Sequence, residues 1–314
     1  ITLTPSAAGT FSFLSWEGDA GGVANPLVVT IASDMTINAK FGVSLTDALD
    51  DPCLDWTVSG SGPAWNGQEL VTFDGTDAAE AAGLAFGEQS LIETIVHGPA
   101  QITFRWKISA GPADTCDFRL DGASRISMNG ESAWEMPSFF VGAGTHVVQW
   151  RYSKNSTSSA GSNQAWLDMV VLDYGLETWQ RAFFSTTERA DPSISGPDAD
   201  PDNDRIPNLL EYLFDQSPAK SQSHAPGAPA ISIEESSGNS FAAFTWSQHH
   251  KRAQHLAIAV EFSSSLEEDS WQVLAAPLEI LSTAGAMETV RVTHPTPLAS
   301  LPQGFFRLRV SLLP

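Results

Sequence analysis

The chain has 314 residues, of which 42% are hydrophobic and 10% aromatic, so it is long enough for several domains with buried cores. Its 16 Lys and Arg stand against 37 Asp and Glu, giving a formal net charge of -21 at pH 7. Such an acidic surface repels nucleic acid and anionic membranes and attracts cations. No apolar run of about 18 residues occurs, so we expect neither a nucleic-acid partner nor membrane insertion.

Residue usage also bears on the compartment. Low Lys content with abundant Ser, Thr, Gly and Trp is typical of bacterial exported proteins, so we expect a secreted or cell-surface location. The first residue is Ile rather than Met, which is expected of a processed or excised piece. Cys53 and Cys116 either form one disulfide in an oxidising compartment or stay free.

Residues 1–42 alternate apolar and polar positions in short runs broken by Gly, Asn and Pro, which predicts β-strands. Aromatic and turn residues recur at fixed spacings in this segment: first Phe13, Trp16, Gly18 and Asp19, then residues 25–29 and 34–41. They resemble the closing half of the bacterial repeat named after internalin B. Because the upstream strands of such a repeat are missing, the resemblance implies an exposed β edge. Self-assembly of the protein through that edge is one expectation.

Residues 47–174 contain strand runs such as QITFRWKI, THVVQWRY and AWLDMVVL separated by Gly, Ser and Asn turns. This pattern predicts a β-sandwich or jelly roll. The segment resembles a jelly-roll-like module of multidomain exported proteins from planctomycete and verrucomicrobial bacteria. The resemblance implies that residues 154–161 join the last two strands of the module.

Residues 175–220 predict a helical linker, since Leu176, Trp179, Phe183 and Phe184 recur at helical spacing and PNLLEYLF follows an acidic loop. Residues 221–314 return to short strands, which predicts a fibronectin-like or immunoglobulin-like sandwich. The closing FFRLRVSL resembles the C-terminal module of the same bacterial proteins. The predicted fold is therefore mainly β, with two sandwiches joined by a helix-loop-helix segment.

The acidic stretch DADPDNDRIPNLLEYLF has the spacing of a calcium-binding loop. Positions 1, 3, 5, 7, 9 and 12 are occupied by Asp200, Asp202, Asp204, Ile206, Asn208 and Glu211. Five of them offer side-chain oxygens, and Ile206 offers its backbone carbonyl. The sequence therefore predicts a structural Ca2+ site whose closing Glu lies in the first turn of the exiting helix.

One residue departs from the loop pattern. Position 6 is Arg205, where Gly usually provides a positive φ, so an Arg there costs about 1 kcal/mol. The stretch also resembles calcium repeats of the thrombospondin type. A solvated acidic loop is the alternative interpretation, because Asp and Pro are common in linkers.

Two further sets of residues are candidates in the middle segment. Asp74, Asp77 and Asp168 are candidates for a second metal site, with ordinary turn aspartates as the alternative. Trp65 and Trp134 lie in turn-like contexts and are the expected exposed pair for stacking on sugar rings, with a core role as the alternative. Near the C-terminal sandwich, His249 to Arg252 predict a solvated turn.

No nucleophile-and-base motif, zinc motif or phosphate-binding loop is found in the sequence. We therefore expect a non-catalytic extracellular or cell-surface protein, ordered by Ca2+, that serves adhesion, assembly or display. The first alternative is a carbohydrate-binding accessory region of a secreted polysaccharide-degrading enzyme, with polysaccharide as the partner. The second is a lyase or glycosidase on the middle sandwich, because catalytic acid pairs converge only in the fold.

Overall fold

The computed structural model describes residues 1–6, 11–22, 24–157, 160–221, 227–301 and 303–313. The chain forms two compact units, Ile1–Asp173 and Tyr174–Pro314. Both units are built mainly from antiparallel strands, which confirms the predicted mainly β class. Over these ranges, none of the helices has the length and apolar character needed to cross a membrane.

The first unit contains one short helix and a series of strands. The helix is α1 (Leu45–Ala48), and the strands are β1 (Thr2–Leu3), β2 (Ser12–Gly18), β3 (Leu27–Val28), β4 (Ile37–Gly42), β5 (Thr57–Gly60), β6 (Asn66–Gln68), β7 (Ala78–Ala82), β8 (Gln89–Ser109), β9 (Thr115–Leu120), β10 (Ala123–Asn129), β11 (Ser138–Ser153) and β12 (Gln164–Asp173).

The long strand β8 organises the first unit as a sandwich. Its first half pairs with β5 and with the end of β11, whereas its second half pairs with β12 and with the start of β11. Phe104 on the second half lies 5.0 Å from Trp150 and 4.9 Å from Phe118, measured between ring centroids. Because Phe118 and Trp150 belong to β9 and to the later half of β11, the two halves of the sheet pack face to face through aromatic rings.

The N-terminal segment forms two small sheets, in which β1 pairs with β3 and β2 pairs with β4. Trp16 is buried, and its indole N–H donates to the carbonyl of Ala24 at 2.8 Å. Phe13 packs against Trp16 with ring centroids 5.1 Å apart. These contacts fix the predicted aromatic and turn positions around Asp19, whose carboxylate accepts the Thr36 N–H at 2.7 Å.

The crossover between β11 and β12 is held by a buried ion pair. Lys154 Nζ lies 2.8 Å from Asp114 Oδ2, and the lysine side chain also bonds Asn163. Asp114 Oδ1 accepts the N–H groups of Asn155 and Ser156 at 2.8 and 2.9 Å. These bonds hold the pKa of Asp114 below its usual range although burial opposes them. β11 ends at Ser153 and β12 begins at Gln164, so Lys154 anchors the start of the connection between them.

The two cysteines do not pair in the structure. Cys53 is exposed in the loop after α1, whereas Cys116 is buried in β9. Burial raises the pKa of the Cys116 thiol far above its usual value, because the thiolate would lack solvent. The expectation of a disulfide is corrected: Cys116 is a core residue of the sandwich.

The second unit opens with helices and continues as two sheets. The helices are α2 (Leu176–Phe183), α3 (Thr186–Arg189), α4 (Pro192–Ser195), α5 (Asn208–Phe214) and α6 (His250–Ala253). The strands are β13 (Ala230–Ser236), β14 (Asn239–His249), β15 (Leu256–Ser263), β16 (Gln272–Val273), β17 (Leu278–Ala284), β18 (Met287–Thr293) and β19 (Phe305–Leu312).

These strands form a four-stranded sheet, β13-β14-β18-β17, and a three-stranded sheet, β16-β15-β19. One apolar cluster joins Trp246 and Val290 of the first sheet with Val260 of the second. The same cluster contains Trp179 of α2 and Tyr212 of α5, both fully buried. The helices expected as a linker therefore share the core of the C-terminal sandwich.

We predict that Lys154→Met destabilises the first unit by roughly 3–5 kcal/mol, because it leaves the buried Asp114 carboxylate without its cation. Lys40→Met is the control: the Lys40 and Glu17 side chains are more than half exposed, so their pair contributes at most about 1 kcal/mol. Urea unfolding of both variants measures the difference, and equal losses would contradict the role given to the buried pair.

Candidate metal centre

The acidic loop between α4 and α5 folds around its own carboxylates. The Arg205 N–H donates to Asp200 Oδ2 at 2.9 Å, and the Ile206 N–H donates to Asp204 Oδ1 at 2.8 Å. Asp200, Asp202 and Asp204 each place a carboxylate oxygen within 4.8 Å of the others. Three negative groups are therefore directed at one small volume, as the sequence spacing predicted.

Asn208 and Glu211 complete the arrangement from the first turn of α5. The Asn208 amide donates to the carbonyls of Ile194 and Gly196 at 2.9 and 2.8 Å, which fixes its orientation. Among the described residues, its buried Oδ1 has no hydrogen-bond partner, and neither has either carboxylate oxygen of Glu211, a residue that is only 1% exposed. Buried acceptors of this kind are rare, so these three oxygens are candidate ligands for a cation.

The electrostatics agree with this interpretation. Burial, together with the charges of Asp202, Asp204 and Asp200, raises the pKa of Glu211 to about 8. The pKa of Asp202 is also raised, first by burial and then by Asp204. Keeping these buried carboxylates ionised therefore costs folding free energy unless a positive charge compensates them.

The donor set fits a hard divalent cation. Ca2+ takes about six to eight oxygen ligands in a flexible geometry. Carboxylates of Asp200, Asp202 and Asp204, the Asn208 amide oxygen and two Glu211 oxygens meet this demand, with the Ile206 carbonyl as the predicted backbone ligand. The chemistry is all oxygen, which excludes a preference for soft thiolate-binding metals.

Arg205 adopts the conformation that the loop position requires. Its φ is 75°, in the left-handed region expected at position 6 of the loop. An L-residue with a side chain is strained there, so the sequence departure noted above has a structural cost. The loop nevertheless closes, because the Arg205 N–H still reaches Asp200.

The far end of α5 is fixed by a residue that sequence reasoning missed. Arg252 is fully buried, and its Nη1 donates to the Tyr212 carbonyl at 3.1 Å and to Asp215 Oδ1 at 2.7 Å. Asp215 ends the helix with φ 57°. The prediction of a solvated turn at His249 to Arg252 is wrong, because His249 and Arg252 are both fully buried. No local sequence signal marks a cation that caps a helix about 40 residues earlier.

The tryptophans predicted to bind sugar do not form a pair. Trp65 is only 3% exposed, and its indole N–H donates to the Ser90 carbonyl at 3.2 Å, so the prediction of an exposed Trp65 is wrong. Trp134 is half-buried and meets Phe73 edge to face, with ring centroids 6.1 Å apart. The guanidinium of Arg105 lies 3.9 Å from the Phe73 ring centroid. We call Trp134, Phe73 and Arg105 the aromatic surface.

The candidates for a second metal site lie close to this surface. Asp168 is fully buried on β12, and its Oδ2 accepts the Phe73 N–H at 2.6 Å. Asp77 is nearly buried, and its pKa is raised by burial and then by Asp50 and Asp74. Asp50, which sequence reasoning missed, and Asp74 raise the pKa of both Asp77 and Asp168. Within the described residues, however, the carboxylates of Asp74, Asp77 and Asp168 do not meet at one point as those of Asp200, Asp202 and Asp204 do.

No family model and no curated protein matches the chain. Among solved structures, a family 61 carbohydrate-binding module in complex with β-1,4-galactotriose matches at 14% identity and a TM-score of 0.30. That match covers 37% of this chain and 86% of the module.

Two further modules align in a similar way. A family 51 module from Clostridium perfringens, in complex with methyl-galactose, matches at 16% identity and a TM-score of 0.27, covering 38% of this chain and 94% of the module. A family 36 module in complex with calcium and xylotriose matches at 11% identity and a TM-score of 0.25, covering 38% and 99%. The fold of this chain is therefore assigned from its own strand pairing.

We predict that Arg205→Gly stabilises the calcium-bound second unit by about 1 kcal/mol, because Gly adopts a positive φ without strain. Arg205→Ala is the matched control, since it removes the same charge but keeps the β-carbon. Denaturant unfolding in saturating calcium compares them. An equal gain for both variants would assign the effect to charge rather than to the backbone.

Proposed function

We propose that this protein is a non-catalytic extracellular or cell-surface β-module protein whose second unit is ordered by Ca2+. Two observations carry the proposal: the carboxylate oxygens of Asp200, Asp202 and Asp204 lie within 4.8 Å of one another, and both Glu211 carboxylate oxygens are buried and make no hydrogen bond within the described residues. A bound cation satisfies these oxygens and neutralises part of the negative charge of the site. Adhesion, assembly or display is the role we assign to such a module.

The proposed role of the cation is structural. The ligands Asn208 and Glu211 lie on the same short helix as Tyr212 and Leu213, which are fully buried in the core of the unit. Binding free energy at the loop therefore adds to the folding free energy of the sandwich. A single calcium loop coupled to a rigid core orders structure more readily than it reports a signal.

We predict that chelation lowers the melting temperature of the second unit by roughly 5–10 °C relative to calcium at about 100 times its Kd. Chelation also opens residues 190–220 to protease. Glu211→Gln together with Asp200→Ala imitates the chelator, whereas Asp34→Asn, an exposed site in the first unit, does not. An unchanged melting temperature and digestion pattern in excess chelator would refute the proposal.

Carbohydrate binding in the first unit is the second candidate function. The aromatic surface favours it, since Phe73 is 40% exposed and Trp134 is partly exposed beside it. Arg105 and Lys107 alternate on β8, and neither has an ion-pair partner among the described residues. Sugar rings stack on aromatic faces, and cationic side chains donate to hydroxyl or carboxylate oxygens.

We predict that Trp134→Ala weakens binding of the full chain to a polysaccharide panel by about tenfold or more, because a central aromatic contact is lost. Trp271→Ala is the control, since Trp271 is also partly exposed and lies 4.3 Å from the Arg307 guanidinium in the other unit. Glycan-array binding measures both. Turnover of any polysaccharide in the same panel would instead support an enzyme and overturn the non-catalytic assignment.

Self-assembly through the N-terminal edge stays a prediction. Strands β2 and β4 form a two-stranded sheet. The outer edge of β2 is bridged at Trp16 by Gly22, whereas β4 pairs with no second strand within the described residues. Such edges template the addition of a further strand. The net charge of -21 opposes chance association, so any assembly depends on specific strand pairing.

A further inference from the structure

Strand β13 lies at the edge of the four-stranded sheet of the second unit and presents apolar side chains to solvent. Ile231 pairs in register with Phe244, and Ile233 pairs with Ala242, and both partners are buried. Directly paired residues of an antiparallel sheet point to the same face, so the two isoleucines lie on the core face. Yet Ile231 is 59% exposed and Ile233 is 64% exposed. The core of the sandwich therefore ends before it reaches β13.

The outer edge of β13 is regular as well as exposed. Its seven residues pair with β14 without a register shift, and no second strand pairs with β13 among the residues described. The opposite edge strand, β17, also exposes Ile280, but its pairing shifts register between Ile280 and Ser282. A bulge turns an edge away from further pairing, whereas a flat, apolar edge invites it. Of the two edges of this sheet, β13 is thus the one suited to pair with another strand.

The three-stranded sheet has an edge of the same kind at β19. This strand pairs with β15 in unbroken register over eight residues and with no other strand of the described ranges. Beside it lies a cleft of about 240 Å³. Apolar side chains from the flanks of the acidic loop, from α5 and from β19 line the cleft: Pro197, Pro207, Leu209, Leu210, Leu308 and Val310. Small-molecule sites have volumes of about 300–1,000 Å³, so this smaller cleft suits one or two side chains of a polypeptide.

The face of β19 that points away from the core is basic. Leu308 and Val310 pack against the core cluster, so the alternating residues Arg307 and Arg309 lie on the other face. Arg307 Nε and Arg309 Nη1 lie 2.6 and 3.0 Å from the two carboxylate oxygens of Glu261. Two guanidinium groups thus share one carboxylate, and both arginines remain exposed. In a chain of net charge -21, this strand is a favourable place for an acidic segment.

Strand β13 supplies the opposite charge. Its seven residues include Glu234 and Glu235 and no basic residue. Glu234 lies 3.2 Å from Arg291 of its own sheet, but 40% of its side chain stays exposed. The charges of β13 and β19 are therefore complementary, as are their apolar faces.

We propose that β13 of one copy of this chain adds to the outer edge of β19 in a second copy and so links copies head to tail. Strand addition satisfies the unpaired backbone groups of both edges. Side chains alternate in each strand, so the face with Ile231 and Ile233 joins the apolar side of β19. Glu234 then falls on the side of Arg307 and Arg309.

The two surfaces differ, so the contact is heterologous and produces rows or rings of copies. It specifies the assembly part of the proposed function, on which it rests, and it is separate from the N-terminal edge at β4. Pro197 and Pro207 flank the acidic loop and line the cleft. Calcium that orders this loop therefore also favours the pairing.

Sedimentation velocity of the full chain in calcium, over a range of protein concentrations, tests the pairing. The wild type forms species larger than the monomer, and their fraction rises with concentration. Ile233→Glu charges the apolar face of β13, Arg309→Glu reverses a charge on β19, and each weakens association by about tenfold or more. Ile280→Glu is the matched control, since it adds the same charge to the exposed, bulged edge strand and associates like the wild type. A wild type that stays monomeric at every concentration would overturn the proposal.

Mixing the two defective variants identifies the head-to-tail mode. Ile233→Glu keeps an intact β19 and Arg309→Glu keeps an intact β13, so the mixture forms one-to-one pairs that grow no further. Association that survives in either variant alone indicates a symmetric contact or the N-terminal edge and overturns the proposal. Ile231→Glu, on the same face of β13, gives the same loss as Ile233→Glu, so the result does not depend on the folding of one variant.

Chelator separates the failure of this inference from that of the calcium-ordered function. If chelation lowers the melting temperature of the second unit while the wild type is monomeric in calcium, the proposed function stands and the strand pairing fails. If the variants pair as described while chelation changes neither the melting temperature nor the digestion pattern, the calcium role fails and the strand pairing holds.

Discussion

The second unit depends on how a carboxylate is accommodated inside an apolar core. Glu211 lies on a helix whose neighbouring residues, Tyr212 and Leu213, are fully buried, so its side chain cannot reach bulk water without moving the helix. Hydrophobic burial holds the helix in place, and that burial in turn forces the carboxylate towards three aspartates. The acidic loop and the core thus constrain each other, and the proposed cation would offset the charge that burial brings together.

At the opposite end of the same helix, a buried positive side chain meets the negative end of the helix. There the exposed carbonyls of the last turn meet the buried guanidinium of Arg252, which also bonds Asp215. A cation at the C-terminus of a helix is favourable because the helix dipole places negative charge there. The helix has only seven residues and is too short to be stable alone, so the buried guanidinium at its end and the packing of its apolar residues stabilise it.

Much of this organisation is predictable from the sequence, because it rests on local spacing. Alternating strands, the six loop positions from Asp200 to Glu211 and the positive φ at Arg205 all follow from patterns within a few residues. The burial of Trp65, the anchoring by Arg252 and the contribution of Asp50 do not. Each depends on a partner between 25 and about 120 residues away, Ser90 for Trp65 being the nearest, and such pairings are decided by the fold rather than by neighbours in the chain. Residues in turn-like contexts are therefore poor guides to exposure when a distant strand covers them.

The course of β8 has a mechanical consequence for the first unit. This single strand of 21 residues is a central strand in both halves of the sandwich, and β11 pairs with it over most of its length. Neither half can detach as a separate cooperative unit, because opening one breaks the backbone ladder on which the other is built. Partial unfolding is therefore confined to peripheral elements such as β5, β6 and β10, and loss of the centre is an all-or-none event. A module pulled by its ends on a cell surface would resist force through this continuous ladder until the whole sandwich yields.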